Sequence, residues 1–150
     1  KLKDNAKILD IGCGKGFLIY ELIRINPTFK IIGIDISRYA INNAKKNNNI
    51  KYFVGKAENR LNFKKNYFDL VISLGTLHNL EIFNLKKALN EISRVSKNSY
   101  VMVESYRNES EMFNLQCWAL TCESFFSKKE WLWIFKEFDY KGDYEFIYFE

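Results

Sequence analysis

Ile8-Leu9-Asp10-Ile11-Gly12-Cys13-Gly14-Lys15-Gly16 is an apolar run carrying one acid, followed by three glycines at alternate positions. Phe17-Leu18-Ile19-Tyr20-Glu21-Leu22-Ile23 continues it with apolar residues at helical spacing. The stretch predicts a strand, a tight turn and a helix. Glycine tolerates positive φ and has no side chain, so such a turn bends sharply and lets a ligand press against the backbone. The first turn of the helix that follows offers unpaired N–H groups and the positive end of its dipole to a carboxylate or phosphate. A nucleotide-like cofactor is expected here.

Spacing narrows the choice. The dinucleotide fingerprint G-x-G-x-x-G needs glycine where this chain has Phe17, and it has no place for an acid two residues before its first glycine. Asp10 suits instead an ammonium group on a cofactor that carries an amino acid. S-adenosylmethionine has that ammonium, a carboxylate for the helix terminus and a ribose further along. At residues 9–16 the sequence resembles the first motif of the class I S-adenosylmethionine-dependent methyltransferases. The resemblance is firm over residues 8–104 and loose beyond them.

With 150 residues the chain is expected to form one domain, large enough to bury about two-thirds of its extended surface. Apolar content of 47% marks a globular protein, and no run approaches the roughly 18 unbroken apolar residues of a membrane span. Cys13, Cys117 and Cys122 are odd in number, one lies inside the glycine turn, and only His78 could join them as a soft ligand. A disulfide framework and a metal site both fit poorly, and the expectation is a reducing cytoplasm. The net charge of +5 is spread over separate doublets such as Lys45-Lys46, Lys64-Lys65 and Lys128-Lys129, which reads as a solvated surface rather than a nucleic-acid footprint. Oligomeric state leaves no mark in the sequence.

Along the chain, Pro27 breaks the first helix, residues 30–35 form a short buried strand ending in Asp35, and Ser37 caps a helix expected over 38–47. Asp35 falls at the end of the second strand, where a carboxylate can accept from ribose hydroxyls; Ile36 follows it. Residues 50–54 read as a third strand, 67–73 as a fourth, 80–95 as an amphipathic helix and 99–104 as a fifth strand. Strand and helix alternate, which predicts a parallel sheet with right-handed crossovers. Residues 105–127 are a long connection with a helix over about 109–121, expected on the substrate side. Ser127 and Glu130 make a capping box, and 143–150 give one last strand. The fold class is thus α/β, a three-layer, doubly wound, mostly parallel sheet without the family's final antiparallel strand. Only seven residues precede Ile8 where the family has some tens, so a trimmed or minimal member is expected.

The resemblance implies cofactor contacts from Asp10, Gly12, Cys13, Gly14, Gly16, Asp35, Ile36, Ala57, Glu58, Ser73 and Leu74. The family's acid for the adenine amino group is replaced by Lys56, which cannot accept, so adenine falls to groups near Ala57 or to Glu58. In relatives the loop over 74–80 borders the transferable methyl group. His78, the only histidine, stands there as a base or as a pocket wall. Tyr106, Arg107 and Trp118 are the substrate candidates; Arg107 can grip a carboxylate or phosphate, or pair with Glu109 or Glu111. The single proline excludes the double-proline and Pro-Cys motifs of amide-nitrogen, exocyclic-nitrogen and base-carbon methyltransferases. The expected acceptor is an oxygen or nitrogen of a small polar metabolite such as a sugar. The alternatives are a non-catalytic S-adenosylmethionine-binding module, an RNA methyltransferase, or a nicotinamide oxidoreductase, the last disfavoured by Phe17 and Asp10.

Overall fold

A computed structural model describes residues 2–150. Its six strands are β1 (Lys7–Ile11), β2 (Lys30–Asp35), β3 (Ile50–Val54), β4 (Leu70–Leu74), β5 (Ser99–Glu104) and β6 (Asp143–Ile147). They form one sheet in the order β3-β2-β1-β4-β5-β6, and every pairing is parallel. β6 lies directly against β5, with Tyr100 opposite Asp143, and no antiparallel strand occurs among the described residues. This is the doubly wound sheet that the alternating pattern predicts, with the switch in strand direction of travel between β1 and β4.

The helices are α1 (Phe17–Ile25), α2 (Arg38–Asn42), α3 (Ile82–Val95), α4 (Glu109–Trp118) and α5 (Lys128–Glu137). Alternation along β1 sends Ile8 to one face, where it meets Ile19 and Ile23 of α1, and Leu9 and Ile11 to the other. That second face is the larger core. Leu85, Leu89 and Ile92 of α3 and Trp131, Ile134 and Phe135 of α5 cover it. The capping box at Ser127 and Glu130 starts α5 as the sequence suggests. Leu115 of α4 heads a smaller cluster with Ala119 and Cys122.

Three expectations are corrected. α2 stops at Asn42 rather than near 47, because the asparagines beyond it bond locally: Asn43 Nδ2 donates to the Tyr39 carbonyl and Asn47 Oδ1 accepts from Asn49 N. α4 ends at Trp118, three residues short of the expected limit. Strand and helix do not alternate between β3 and β4. The loop there is pinned to α3 instead, with Leu61 N donating to Glu91 Oε1 at 2.6 Å and Arg94 donating to the carbonyls of Phe63 and Leu61 at 2.8 and 2.9 Å. These side chains satisfy backbone groups that a helix would otherwise satisfy internally.

Trp131 links the layers, fully buried, with its indole N–H donating to the Glu104 carbonyl at 3.0 Å. Trp131→Ala is expected to lower the unfolding free energy by about 3–5 kcal/mol. Urea denaturation followed by far-ultraviolet circular dichroism measures this, and a loss below about 1 kcal/mol would show that the ring is not a core anchor.

Candidate functional site

The candidate site lies beyond the carboxyl ends of β1, β2, β3 and β4. Gly12, Gly14 and Gly16 have φ of 80°, 53° and 71°, a region that side chains rarely occupy. A Cβ on Gly12 would also run into the Thr76 side chain, and one on Gly16 into the Tyr52 ring. The turn is fastened to β2: Gly12 N and Cys13 N both donate to the Ile34 carbonyl, at 2.7 and 3.1 Å. Asp35 then spans two elements. Its Oδ2 accepts from Gly14 N at 2.8 Å and its Oδ1 from Ser37 N at 2.7 Å, while the Ser37 hydroxyl caps α2.

Between the turn and the loop after β4 is a cleft of about 360 Å³. Of the expected contact residues, Gly12, Asp35, Ile36, Ala57, Glu58 and Leu74 line it. Lys56, Gly75, Thr76, Asn79 and Leu80 line it too. Thr76 and Asn79 carry no motif of their own; the only signal for them is their place in the loop after the fourth strand.

The other expected contacts do not line this cleft. Gly14 and Gly16 shape the turn without lining the cleft. Ser73 is fully buried and its hydroxyl donates to the Ile11 carbonyl at 3.0 Å, fastening β4 to β1. Asp10 is 4% exposed beneath the turn, and burial, then the charge of Asp35, pushes its carboxyl up to about 7. Cys13 is half-buried beside it; burial first and then Asp10 and Asp35 push the thiol up to about 12, so it stays protonated and unreactive.

His78 sits in a single 3-10 turn, Leu77–Asn79, and is only 3% exposed. Its Nδ1 abuts the Glu104 carboxylate, which is itself buried at the end of β5. The His78 carbonyl accepts from Glu123 N and Ser124 N, so this turn anchors the 105–127 connection. The Glu104 partnership carries no sequence signal, because the two residues are 26 positions apart on different elements.

For Arg107 the structure selects the ion pair. Its Nε donates to Glu111 Oε1 at 2.8 Å and its Nη2 to Glu150 Oε1 at 2.7 Å, the pairing with Glu111 being one of the two readings that the sequence offers. Trp118 stacks on Phe149 with ring centroids 4.6 Å apart, and Tyr106 packs against the Leu115 cluster. None of the three lines the cleft. Among the described residues no three His, Cys, Asp or Glu side chains converge as a metal site, and no helix is long and apolar enough to cross a membrane.

The sequence pattern of the family described as a methyltransferase domain matches residues 2–139. With this sheet and this glycine turn, the chain belongs to that family, as a class I S-adenosylmethionine-dependent methyltransferase domain. It is 31% identical over 115 residues to the mitochondrial arginine-hydroxylase NDUFAF5 of Mus musculus, covering 77% of this chain and 33% of that protein. It is 34% identical over 103 residues to ribosomal RNA small subunit methyltransferase C of Buchnera aphidicola, covering 59% of this chain and 30% of that one. The chain spans about a third of the length of these curated relatives. In fold it is similar to geranyl diphosphate C-methyltransferase of Streptomyces coelicolor, with a TM-score of 0.74 at 12% identity over 91% of this chain and 54% of that one.

Asp10 makes stability depend on pH. Its folded pKa near 7 exceeds the ordinary 3.8, so between these values the native state keeps a proton that the unfolded chain has lost. The contribution therefore favours folding increasingly as pH falls from 7 towards 4 and is a constant penalty above 7. Asp10→Asn is expected to abolish this component, raising the melting temperature of the ligand-free protein at pH 8 more than at pH 5. Parallel melting curves of both proteins across that range test it, and an equal difference at both pH values would show that the carboxyl titrates normally.

Proposed function

We propose that the cleft binds S-adenosylmethionine and that the chain transfers its methyl group to an oxygen or nitrogen of a small polar metabolite, a sugar being the leading class. The observation that carries this reading is the glycine turn closed onto Asp35, with Gly12 so close to Thr76 that no side chain fits between them. When bound, the cofactor would supply a sulfonium methyl group, whose carbon the acceptor would attack in line while the methyl–sulfur bond breaks and S-adenosylhomocysteine leaves. Gly12, Cys13, Gly14 and Gly16 would offer backbone and the α1 terminus to its carboxylate, and Asp10, buried beneath that turn, would supply the charge opposite its ammonium. Asp35 would accept from the ribose hydroxyls, Ile36 would cover the adenine, and Ala57 and Glu58 would meet its polar edge. Leu74, with the buried Ser73 behind it, would form the floor near the sulfur.

The acceleration asked of the protein is chiefly positioning, since methyl transfer needs neither metal nor covalent intermediate. His78 acts in this reading by fixing the turn that presents Thr76 and Asn79, because its ring is buried against Glu104 rather than open to the cleft. Residues 105–127 form the acceptor side, with Tyr106 and Trp118 as its aromatic wall and Arg107 held by Glu111. A small acceptor is preferred over nucleic acid because the lysine doublets lie on separate elements, the α2–β3 loop, the β3–β4 loop, α3 and α5. The free thiols, Cys117 exposed among them, suit a reducing compartment, which we take to be the cytoplasm. The NDUFAF5 relatives support a second reading, hydroxylation on the same fold. Release of S-adenosylhomocysteine during turnover separates the two.

Calorimetry with S-adenosylmethionine, S-adenosylhomocysteine and NAD tests the cofactor. Micromolar binding of the first two is expected, and NAD binding without them would overturn the reading. Asp35→Ala should weaken binding by about 2 kcal/mol, roughly thirtyfold, because the ribose diol and Gly14 N lose the same charged acceptor. Binding should also tighten as pH rises through about 7, where Asp10 loses the proton that blocks its ammonium contact.

A further inference from the structure

The amino ends of the strands carry three lysines that the cleft does not use. Lys7 opens β1 and stands opposite Lys30, which opens β2, and Lys51 of β3 stands opposite Ile32. Leu9, two residues beyond Lys7, belongs to the larger core with Ile32, whereas Ile50 beside Lys51 belongs to the other, so alternation sends all three lysine side chains to one face of the sheet. α3 and α5 cover that face over the central strands. Residues 55–69 form no helix, and towards β3 the face stays open, with Phe53 49% exposed. A pocket of about 230 Å³ forms at its amino end, lined by Ile32, Tyr67 and Phe68 and by the three lysines.

Like charges on neighbouring strands, whose backbones run about 4.8 Å apart, repel one another. Among the described residues none of the three lysines has an acid as ion-pair partner. Asp69 is close, but its Oδ2 accepts from the Lys7 backbone N–H at 2.9 Å and its Oδ1 from Lys97 Nζ at 2.7 Å. Tyr67 is held in place by Phe63, with ring centroids 5.2 Å apart, and by the Lys7 ammonium 4.3 Å from its own centroid. An apolar hollow with a few convergent charges is the usual form of a small-ligand site. We propose that this pocket is a second binding site, for a small organic anion: a carboxylate or phosphate gripped by Lys7, Lys30 and Lys51, with a compact apolar body against Ile32 and the Tyr67 and Phe68 rings. The volume equals that of about eight water molecules, enough for one ring bearing one anionic group. The pocket lies at the amino ends of the strands and the cofactor cleft beyond their carboxyl ends, so its ligand is neither the cofactor nor the methyl acceptor.

Titration of the isotope-labelled protein with phenyl phosphate and with benzoate, followed by amide chemical shifts, tests this. Shifts are expected at residues 30–32, 51, 67 and 68, and the tighter of the two probes identifies the anionic group. Inorganic phosphate, which has the charge without the body, should bind about tenfold more weakly, since burying a ring is worth that much. Benzyl alcohol, which has the body without the charge, should leave these amides unmoved at the same concentration. Lys30→Met and Lys51→Met should each weaken the tighter probe about threefold and the double variant about tenfold, the scale of partly exposed charge pairs. Lys128→Met, on α5, should leave it unchanged. Lys7 is kept, because its ammonium supports Tyr67. Shifts scattered over Lys128 and Lys129, shifts at Gly12 and Gly75 of the cofactor cleft instead, equal binding of phenyl phosphate and inorganic phosphate, or full affinity in the double variant would each overturn the proposal. Shift mapping on the unmodified chain keeps the test independent of how any variant folds, and none of these outcomes bears on the cofactor reading.

Discussion

The site depends on one carboxylate. Asp35 ends β2, and its two oxygens reach the backbone of two other segments, Gly14 in the glycine turn and Ser37 at the head of α2. Charge-assisted bonds of this kind are about twice as strong as neutral ones, and here they connect the glycine turn, the end of β2 and the head of α2. The turn cannot drift from β2 without breaking the bond to Gly14 as well as those to the Ile34 carbonyl. The cleft's width is therefore set by the register of β1 against β2, Ile11 opposite Ile34, and by a side chain that also faces the ligand space.

A second constraint comes from burying acids close together. Asp10 and Asp35 each raise the cost of ionising what lies around them, as the Cys13 thiol records. Nothing in the folding of the chain requires an acid at position 10, since Ile8, Leu9 and Ile11 already supply the core. A buried carboxyl that weakens the ligand-free fold is understandable when a cation arrives to offset it.

Much of the fold was readable because the signals are local. β2, β3 and β5 stand within the residues that their apolar runs mark, and α3 follows the three-and-four spacing of Leu85, Leu89 and Ile92. The positions around the cleft were readable in part for a related reason: in a parallel sheet the carboxyl ends of the strands converge, which marks Asp35, while Gly12, Ala57 and Leu74 followed from the resemblance to the methyltransferase motifs. What escaped was non-local. The pairing of His78 with Glu104 and the hold of Glu91 and Arg94 on the backbone of Leu61 and Phe63 join residues by packing, which no spacing rule encodes, whereas the Arg107–Glu111 pair stands at a helical i,i+4 spacing that the sequence already offered. The early end of α2 reflects competition between asparagine side chains and the helix, visible in composition but not decidable from it.

The C-terminal residues also bear on α4. Phe149 stacks on Trp118, the Phe149 carbonyl accepts from Asn114, and Glu150 shares Arg107 with Glu111. α4 is thereby tied to the residues that follow β6, through Trp118 and Asn114, and Arg107 just ahead of it is tied to the same residues through Glu150. A fusion joined after Glu150 that pulls Phe149 or Glu150 from its place would therefore also remove the stacking partner of Trp118 and one of the two acids that hold Arg107.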